Sequence, residues 1–361
     1  MNVLEALLIP FSMLYGAVTR LRALAYRRGW KKSYRVAVPV IVVGNVTVGG
    51  TGKTPMALYL LAHLQAQGRR PGYLSRGYGR SSKGYLRVDP QAADGRVYGD
   101  EAFLIAHRMP GLPVAVCEDR VAGARRLIAE AGVDVLVLDD AFQHMRIARD
   151  LNLAMVDATR LPTRDWLLPA GRLREPVSAL RRADRLILSK LRPDQDAAQV
   201  WAGSGLAPLG KPMTAFRMVQ VRLAPFFPDR APALAMGDLD GQQAIAFSGL
   251  GNNAFFQSQL RSAGIHLAAF FPFADHHDYT AEELAKILDA RLSLPEISGK
   301  FAAVPILTTE KDYFRLRAAA LLDRLSDAPL YYVVVDLLPL QGEAELHRDI
   351  QLVLHHHEGK D

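Results

Sequence analysis

Residues 44–55 read Gly-Asn-Val-Thr-Val-Gly-Gly-Thr-Gly-Lys-Thr-Pro, a composition and spacing suited to holding phosphate. They follow an apolar run, Val38 to Val43, and lead into a helical pattern from Met56 to Gln67. A strand, a glycine-rich turn and a helix N-terminus together form a cradle. Backbone N–H groups and the positive end of the helix dipole hold phosphate oxygens there. Thr47 and Thr51 belong to the same turn as Gly49, Gly50 and Gly52, and the glycines permit positive φ and close backbone approach. Lys53 would reach the β- and γ-phosphates, and the Thr54 hydroxyl would bind Mg²⁺. The usual G-x-x-x-x-G-K-[ST] pattern begins with glycine, where this chain has Thr47. A glycine-rich turn without a ligand is the bland alternative. The strand before it and the helix after it favour a nucleoside triphosphate.

Such a loop needs an acidic partner at the end of a second buried strand, to hold or orient the cation. Val133-Asp-Val-Leu-Val-Leu-Asp-Asp140 supplies Asp139 and Asp140. Adjacent carboxylates are costly to desolvate, and a cation would relieve their repulsion; capping the next helix is the competing role. Gln143 and His144 follow as polar groups able to meet a second substrate. Gly99-Asp100-Glu101 is another acidic pair before a helix, where N-cap duty alone would explain Asp100. Asp275-His276-His277-Asp278 could orient a base, cap a helix or bind zinc. Zinc is the poorer reading, because cysteine partners and an H-x-x-x-H spacing are missing. Arg76 in Ser75-Arg-Gly-Tyr78, Arg120, Arg172 and Arg174 lie in settings expected of loops at strand ends, where α/β proteins bind ligands.

Strand and helix signals alternate around these residues. Strands are expected at 38–44, 71–75, 113–116, 133–139, 151–157, 185–189, 244–248, 304–308 and 330–335. Helices are expected at 54–67, 100–108, 120–131 and 253–263. The alternation predicts an α/β fold of the P-loop NTPase type, doubly wound on a mostly parallel sheet. Residues 36–200 form the expected P-loop core and 241–361 a smaller C-terminal α/β lobe. Between them, 201–240 is the expected junction, inside a less regular stretch from about 192 to 240 rich in Pro, Gly and Ala. His355-His356-His357 reads as a solvated tail, and the single cysteine, Cys117, excludes an intramolecular disulfide and fits a reducing compartment.

The chain has 361 residues and a net charge of +7, but residues 1–35 carry seven basic residues and one acid. The rest is nearly neutral, which argues against a broad nucleic-acid face. Residues 3–18 are apolar and precede the basic residues. Sixteen helical residues span roughly 24 Å, short of the ~30 Å hydrocarbon core, and Glu5 and Pro10 weaken a spanning reading further. A helix lying in the interface of an anionic leaflet is expected, on the cytoplasmic side. A first helix packed on the protein's own core is the alternative.

Taken in order, the motifs resemble those of the tetraacyldisaccharide 4′-kinase family, the lipid A 4′-kinases of Gram-negative bacteria. They are G-N-V-T-V-G-G-T-G-K-T-P at 44–55, L-S-R-G-Y-G-R at 74–80, G-D-E at 99–101, E-D-R at 118–120 and L-D-D-A-F-Q-H at 138–144. P-A-G-R-L-R-E-P at 169–176, F-S-G-L-G-N at 247–252, D-H-H-D-Y-T at 275–280 and T-E-K-D at 309–312 complete the set. The family's loop is similar at the Thr47 position, whereas Ala141 stands where the family usually has glycine. The resemblance implies transfer of the ATP γ-phosphoryl to the 4′-hydroxyl of a tetraacylated glucosamine disaccharide 1-phosphate, giving lipid IVA. It implies ATP and Mg²⁺ as cofactors, Asp100 as base with His276 as its dyad partner, and Lys53 on the β/γ charge. Thr54, Glu101, Asp139 and Asp140 would serve the metal. Ser75, Arg76, Tyr78, Arg120, His144, Arg172, Arg174 and Glu175 would meet the sugar and its 1-phosphate. The implied partners are the lipid substrate and the cytoplasmic face of the inner membrane, with peripheral or monotopic attachment, no nucleic acid and no obligate protein. Competing readings are a membrane-associated P-loop ATPase switch and a soluble small-molecule kinase. Thr309-Glu310-Lys311-Asp312 has the wrong order for a guanine signature.

Overall fold

The computed structural model describes residues 3–92, 95–294, 303–318, 321 and 328–358. Helix α1 (Val3–Arg27) leads into β1 (Val40–Gly44), α2 (Lys53–Ala66), β2 (Pro71–Ser75), β3 (Leu86–Arg87) and α3 (Asp100–Arg108). Next come β4 (Val114–Val116), α4 (Arg120–Ala131), β5 (Val135–Asp139), β6 (Leu151–Asp157), β7 (Arg185–Ser189) and α5 (Ala197–Ala202). The second half comprises β8 (Met213–Pro225), β9 (Leu234–Ala235), β10 (Gln243–Ser248), α6 (Asn253–Ser262), β11 (His266–Pro272) and α7 (Ala281–Leu292). β12 (Ile306–Thr309), α8 (Glu310–Ala318), β13 (Leu330–Gln341) and α9 (Glu343–Glu358) complete it.

The strands form one sheet in the order β11-β10-β12-β13-β8-β7-β6-β1-β5-β2-β4-β3, with β9 paired to β8. β1 is buried at all five positions and lies between β5 and β6, parallel to both. Its continuous Val/Ile run suits a parallel strand covered on both faces. Its register sets Val43 beside Asp139, so the glycine-rich turn leaves the sheet level with the acidic pair. A Cβ on Gly44 would stand 2.6 Å from Phe142 Cβ, so only glycine lets the end of β1 and the turn after β5 approach this closely.

β8 decides the architecture. It runs parallel to β7 through its first residues, continues beyond β7, and pairs antiparallel with β13. β10, β11 and β12 are parallel to β13 and therefore run against the strands of the first half. They meet β13 at the far end of β8, where Tyr331 is level with Pro225. The C-terminal strand ends of the two halves thus face each other across a cleft, the position at which open α/β sheets bind ligands.

Three expectations are corrected. The stretch 192–240 is not irregular throughout, because it contains the thirteen-residue β8, buried at both ends and accessible in its middle. The Pro and Gly residues flanking β8 concealed it. The histidines at 355–357 lie in α9, whose Leu346, Ile350 and Leu354 form a buried stripe at i, i+4 spacing. His357 Nε2 lies 3.3 Å from Asp150 Oδ1. Finally, α1 runs through Pro10 to Arg27 as 25 residues, about 37 Å at helical rise. Residues Leu7–Arg27 are long and apolar enough to cross a membrane by length and composition.

Candidate active site

The turn after β1 ends at Gly52, which adopts φ +86° as the N-cap of α2. Lys53 and Thr54, the first residues of the helix, are both buried. Asn45 braces the turn from inside, its Nδ2 donating to Thr47 Oγ1 at 3.2 Å and to Thr51 Oγ1 at 2.9 Å. Opposite, Asp140 has φ +47°, and its carboxylate receives two hydrogen bonds from Arg174, at 2.9 and 2.8 Å. Lys53 Nζ lies 3.6 Å from Asp140 Oδ1. Arg174 also reaches the turn itself, through Nε to the Thr47 carbonyl and through an Nη to Asn45 Oδ1. Burial would raise the Asp140 pKa, but Lys53 and Arg174 hold it well below the carboxylate range. Asp139 is its opposite. Burial and then the negative charge of Glu101 push it up to about 7, although Tyr73 donates a 2.9 Å hydrogen bond to its Oδ2.

Both carboxylates at the start of α3 are engaged by α8, which is packed along α3 through Phe103, His107 and Phe314. Lys311 Nζ lies 3.2 Å from Glu101 Oε1. Arg315 Nε donates to Asp100 Oδ2 at 2.8 Å, and His276 Nδ1 lies 3.2 Å from that same oxygen. His276 has φ +58°, in the turn after β11, and its ring centroid is 5.3 Å from that of the exposed Tyr78. Arg315 is fixed in turn by Asp312 and by the Gly249 carbonyl. Against burial, the His276 hydrogen bond and the Arg315 and Lys311 charges lower the Asp100 pKa to about 2. Glu101 is also lowered, as Lys311 and Lys53 outweigh its burial.

The expected substrate residues fall into three settings. Glu175 is buried, accepting from Arg182 at 2.5 Å and from Gln143 Nε2 at 3.2 Å, and Gln143 Nε2 also donates to the Asn45 carbonyl. Arg120 is buried and donates to the Cys117 and Glu118 carbonyls; burial lowers its pKa to about 10. His144 Nε2 is buried with no hydrogen-bond partner among the described residues, and burial followed by the charge of Arg120 lowers its pKa to about 4. Arg76 is exposed. Ser75 and Arg172 are occupied locally: Ser75 Oγ accepts from Gly77 N at 3.1 Å, and Arg172 Nε donates to Asp165 at 2.9 Å. Sequence reasoning assigned no role to Asn45, Tyr73, Lys311 or Arg315. Lys311 lies in the T-E-K-D motif at 309–312, but only packing of α8 on α3 shows what it meets.

Among the described residues, no three of His, Cys, Asp and Glu are gathered tightly enough to hold a metal ion by themselves. The four residues expected to serve the metal therefore do not form a protein cage, and Asp140 is turned to Lys53 and Arg174. The donors do fit Mg²⁺ bound together with a triphosphate, which uses one or two carboxylates plus phosphate oxygens. Asp139, with its proton held to about pH 7, is the carboxylate whose charge such a cation would stabilise.

Helix α1 reaches this cleft with one face. Ser12 Oγ donates to the Leu167 carbonyl at 2.8 Å and accepts from Ala170 N at 3.0 Å. Tyr15 OH donates to the Arg174 carbonyl at 3.0 Å. Leu7, Phe11, Met13, Leu14, Val18 and Leu21 are exposed. The alternative of a first helix packed on the protein's own core is thus not what the structure shows. Beside its basic end lies a cavity of about 740 Å³ lined in part by Arg20, Arg27, Arg149, Arg181, Arg182 and Glu175.

Comparison with known proteins bears on this arrangement. Residues 4–355 match the model of a family described as LpxK, tetraacyldisaccharide-1-P 4′-kinase. A tetraacyldisaccharide 4′-kinase of Chlorobium limicola is 36% identical, across 95% of this chain and 96% of that one. One from Aeromonas hydrophila is 39% identical, across 87% of this chain and 84% of that one. The crystal structure of LpxK from Aquifex aeolicus in complex with ATP superimposes with a TM-score of 0.75 at 31% identity, covering 98% of this chain and all of that one. The fold is therefore shared with a solved relative over nearly the whole chain, and the chain belongs to the tetraacyldisaccharide-1-P 4′-kinase family.

Proposed function

We infer that this protein is an ATP-dependent lipid kinase. It transfers the γ-phosphoryl of ATP to the 4′-hydroxyl of tetraacyldisaccharide 1-phosphate and gives lipid IVA. The observation that carries the reading is the contact between the exposed apolar helix and the phosphate site. Tyr15 of α1 bonds the Arg174 backbone, and the Arg174 side chain bonds both the turn and Asp140. A phosphate site tied directly to an apolar surface helix suits an acceptor that remains in a bilayer.

In this reading the turn from Thr47 to Thr54 holds the phosphates, with Lys53 neutralising charge that develops between the β- and γ-positions. Thr54, Asp139 and Glu101 would hold Mg²⁺ together with the ATP phosphates, and the cation would supply further charge neutralisation. Asp100 takes the proton of the acceptor hydroxyl, with His276 Nδ1 beside Asp100 Oδ2 to carry it onward. A carboxylate whose pKa is near 2 is a weak base. Phosphoryl transfer tolerates this, because positioning and charge neutralisation do most of the catalysis. The arginine-lined cavity beside α1 suits the anionic 1-phosphate end, and the buried Arg120 and His144, with its buried Nε2, are assigned to the sugar. The basic end of α1 favours the cytoplasmic leaflet.

The direct test is incubation of the purified protein with γ-labelled ATP, Mg²⁺ and tetraacyldisaccharide 1-phosphate in detergent micelles. A labelled lipid is expected. ATP binding without labelled lipid would reject the kinase reading in favour of a membrane-associated ATPase switch.

A further inference from the structure

Lys190 follows the last residue of β7, and neither it nor Ser189 belongs to the machinery described above. Its backbone adopts φ +59°, a conformation that residues with a Cβ seldom take and that calls for a reason. Its side chain is nearly buried, and its ammonium donates to Asp157 Oδ2 at 2.8 Å and to the Gly50 carbonyl of the phosphate-binding turn. The Phe255 ring of α6, from the other half of the sheet, lies 5.3 Å away. Ser189 Oγ donates to the next carbonyl of the turn, that of Thr51, at 2.8 Å. Two successive side chains at the end of β7 therefore hold two successive carbonyls of the turn.

The consequence follows from peptide geometry. In a planar trans peptide the C=O of one residue and the N–H of the next point in opposite directions. Drawing the Gly50 and Thr51 carbonyls toward β7 turns the Thr51 and Gly52 N–H groups the other way, into the cradle where phosphate oxygens bind. We propose that Lys190, together with Ser189, is a positioning residue: it orients the amides of Thr51 and Gly52 for the β- and γ-phosphates without touching the nucleotide. This rests on the turn holding the triphosphate.

The test uses the full-length protein with Lys190→Met, which keeps the apolar stem and removes the ammonium. Dissociation constants for ATP, ADP and AMP are measured, along with KM for ATP and for the lipid. ATP and ADP should weaken about tenfold or more, as for loss of a charge-assisted hydrogen bond, while AMP affinity and the lipid KM stay within about twofold. A purely structural role would move all five together. Equal weakening of AMP, or no weakening of ATP, overturns the proposal. Should Lys190→Met fail to unfold cooperatively, Ser189→Ala carries the test, with a loss of about threefold or more confined to ATP and ADP; an absent or unselective loss overturns it. Lys53→Ala is run in parallel, and intact ATP binding and turnover in that variant would instead overturn the reading of the turn as the triphosphate site.

Discussion

His276 and Asp100 are separated by 176 positions in the chain, yet His276 Nδ1 lies 3.2 Å from Asp100 Oδ2. Arg315, from α8, donates to that same oxygen at 2.8 Å. One carboxylate at the head of α3 is thus shared by two residues of the opposite half-sheet. Asp100→Asn should lower kcat by about 10²–10⁴-fold, the range for loss of a positioned acid–base group. The ATP dissociation constant should change little, because Asp100 lies outside the phosphate turn. Equal loss in nucleotide affinity and turnover would remove Asp100 from the chemical step.

Lys53 sits between the turn and Asp140, its ammonium 3.6 Å from the carboxylate. Lys53→Ala should cost at least about a hundredfold in kcat/KM, as for removal of a preorganised charge stabiliser. Asp140 keeps both hydrogen bonds from Arg174, so the variant should fold. Circular dichroism and a labelled-lipid assay separate the two effects.

Asp139 predicts a pH dependence with a definite sign. Its folded pKa of about 7 lies above the ordinary carboxylate value, chiefly through burial and the Glu101 charge. The folded state then holds a proton that the unfolded state has released, so this group makes stability fall as pH rises from about 4 to about 7. The slope approaches ~1.4 kcal/mol per pH unit at most. In urea unfolding without nucleotide or metal, Asp139→Asn should flatten the decline over that window. An unchanged slope would show that Asp139 is already ionised in the folded protein.

The exposed face of α1 should account for membrane attachment. Leu7, Phe11 and Leu14 are exposed, and each fully buried side chain contributes about 1.5–3 kcal/mol. Changing all three to Asp should move the protein from the membrane fraction to the soluble fraction. Ser12 and Tyr15 keep their bonds to the body, so ATP binding should survive. Retention in the membrane pellet would place the anchor elsewhere.

The arginine-lined cavity makes a claim about the acceptor. Arg20 and Arg181 are exposed at its rim, so removing them carries little folding cost. Arg20→Ala with Arg181→Ala should raise the lipid KM by about tenfold, the scale of a charge-assisted contact, with the KM for ATP unmoved. A change confined to ATP would exclude this cavity as the acceptor's anionic subsite.

Residues 44–55 disclosed their turn because phosphate binding depends on local backbone: glycine where φ is positive, and lysine and threonine where the helix begins. Asp139 and Asp140 were legible for a similar reason, as a continuous apolar strand that ends in two carboxylates sets them at its C-terminal end, where open α/β sheets bind ligands. The strand β8 was not legible, since its flanks carry loop residues and its middle is only partly buried. Its pairing alone reverses the second half-sheet and turns the two sets of strand ends toward each other. Lys190, Lys311 and Arg315 were undetermined for the same physical reason. A lone basic residue has no local pattern that names its partner; only the packing of distant elements sets Lys190 against Gly50, Lys311 against Glu101 and Arg315 against Asp100. Local geometry thus wrote the glycine-rich turn and its acidic partner into the sequence, while the cleft beside them arose from long-range strand order and helix packing.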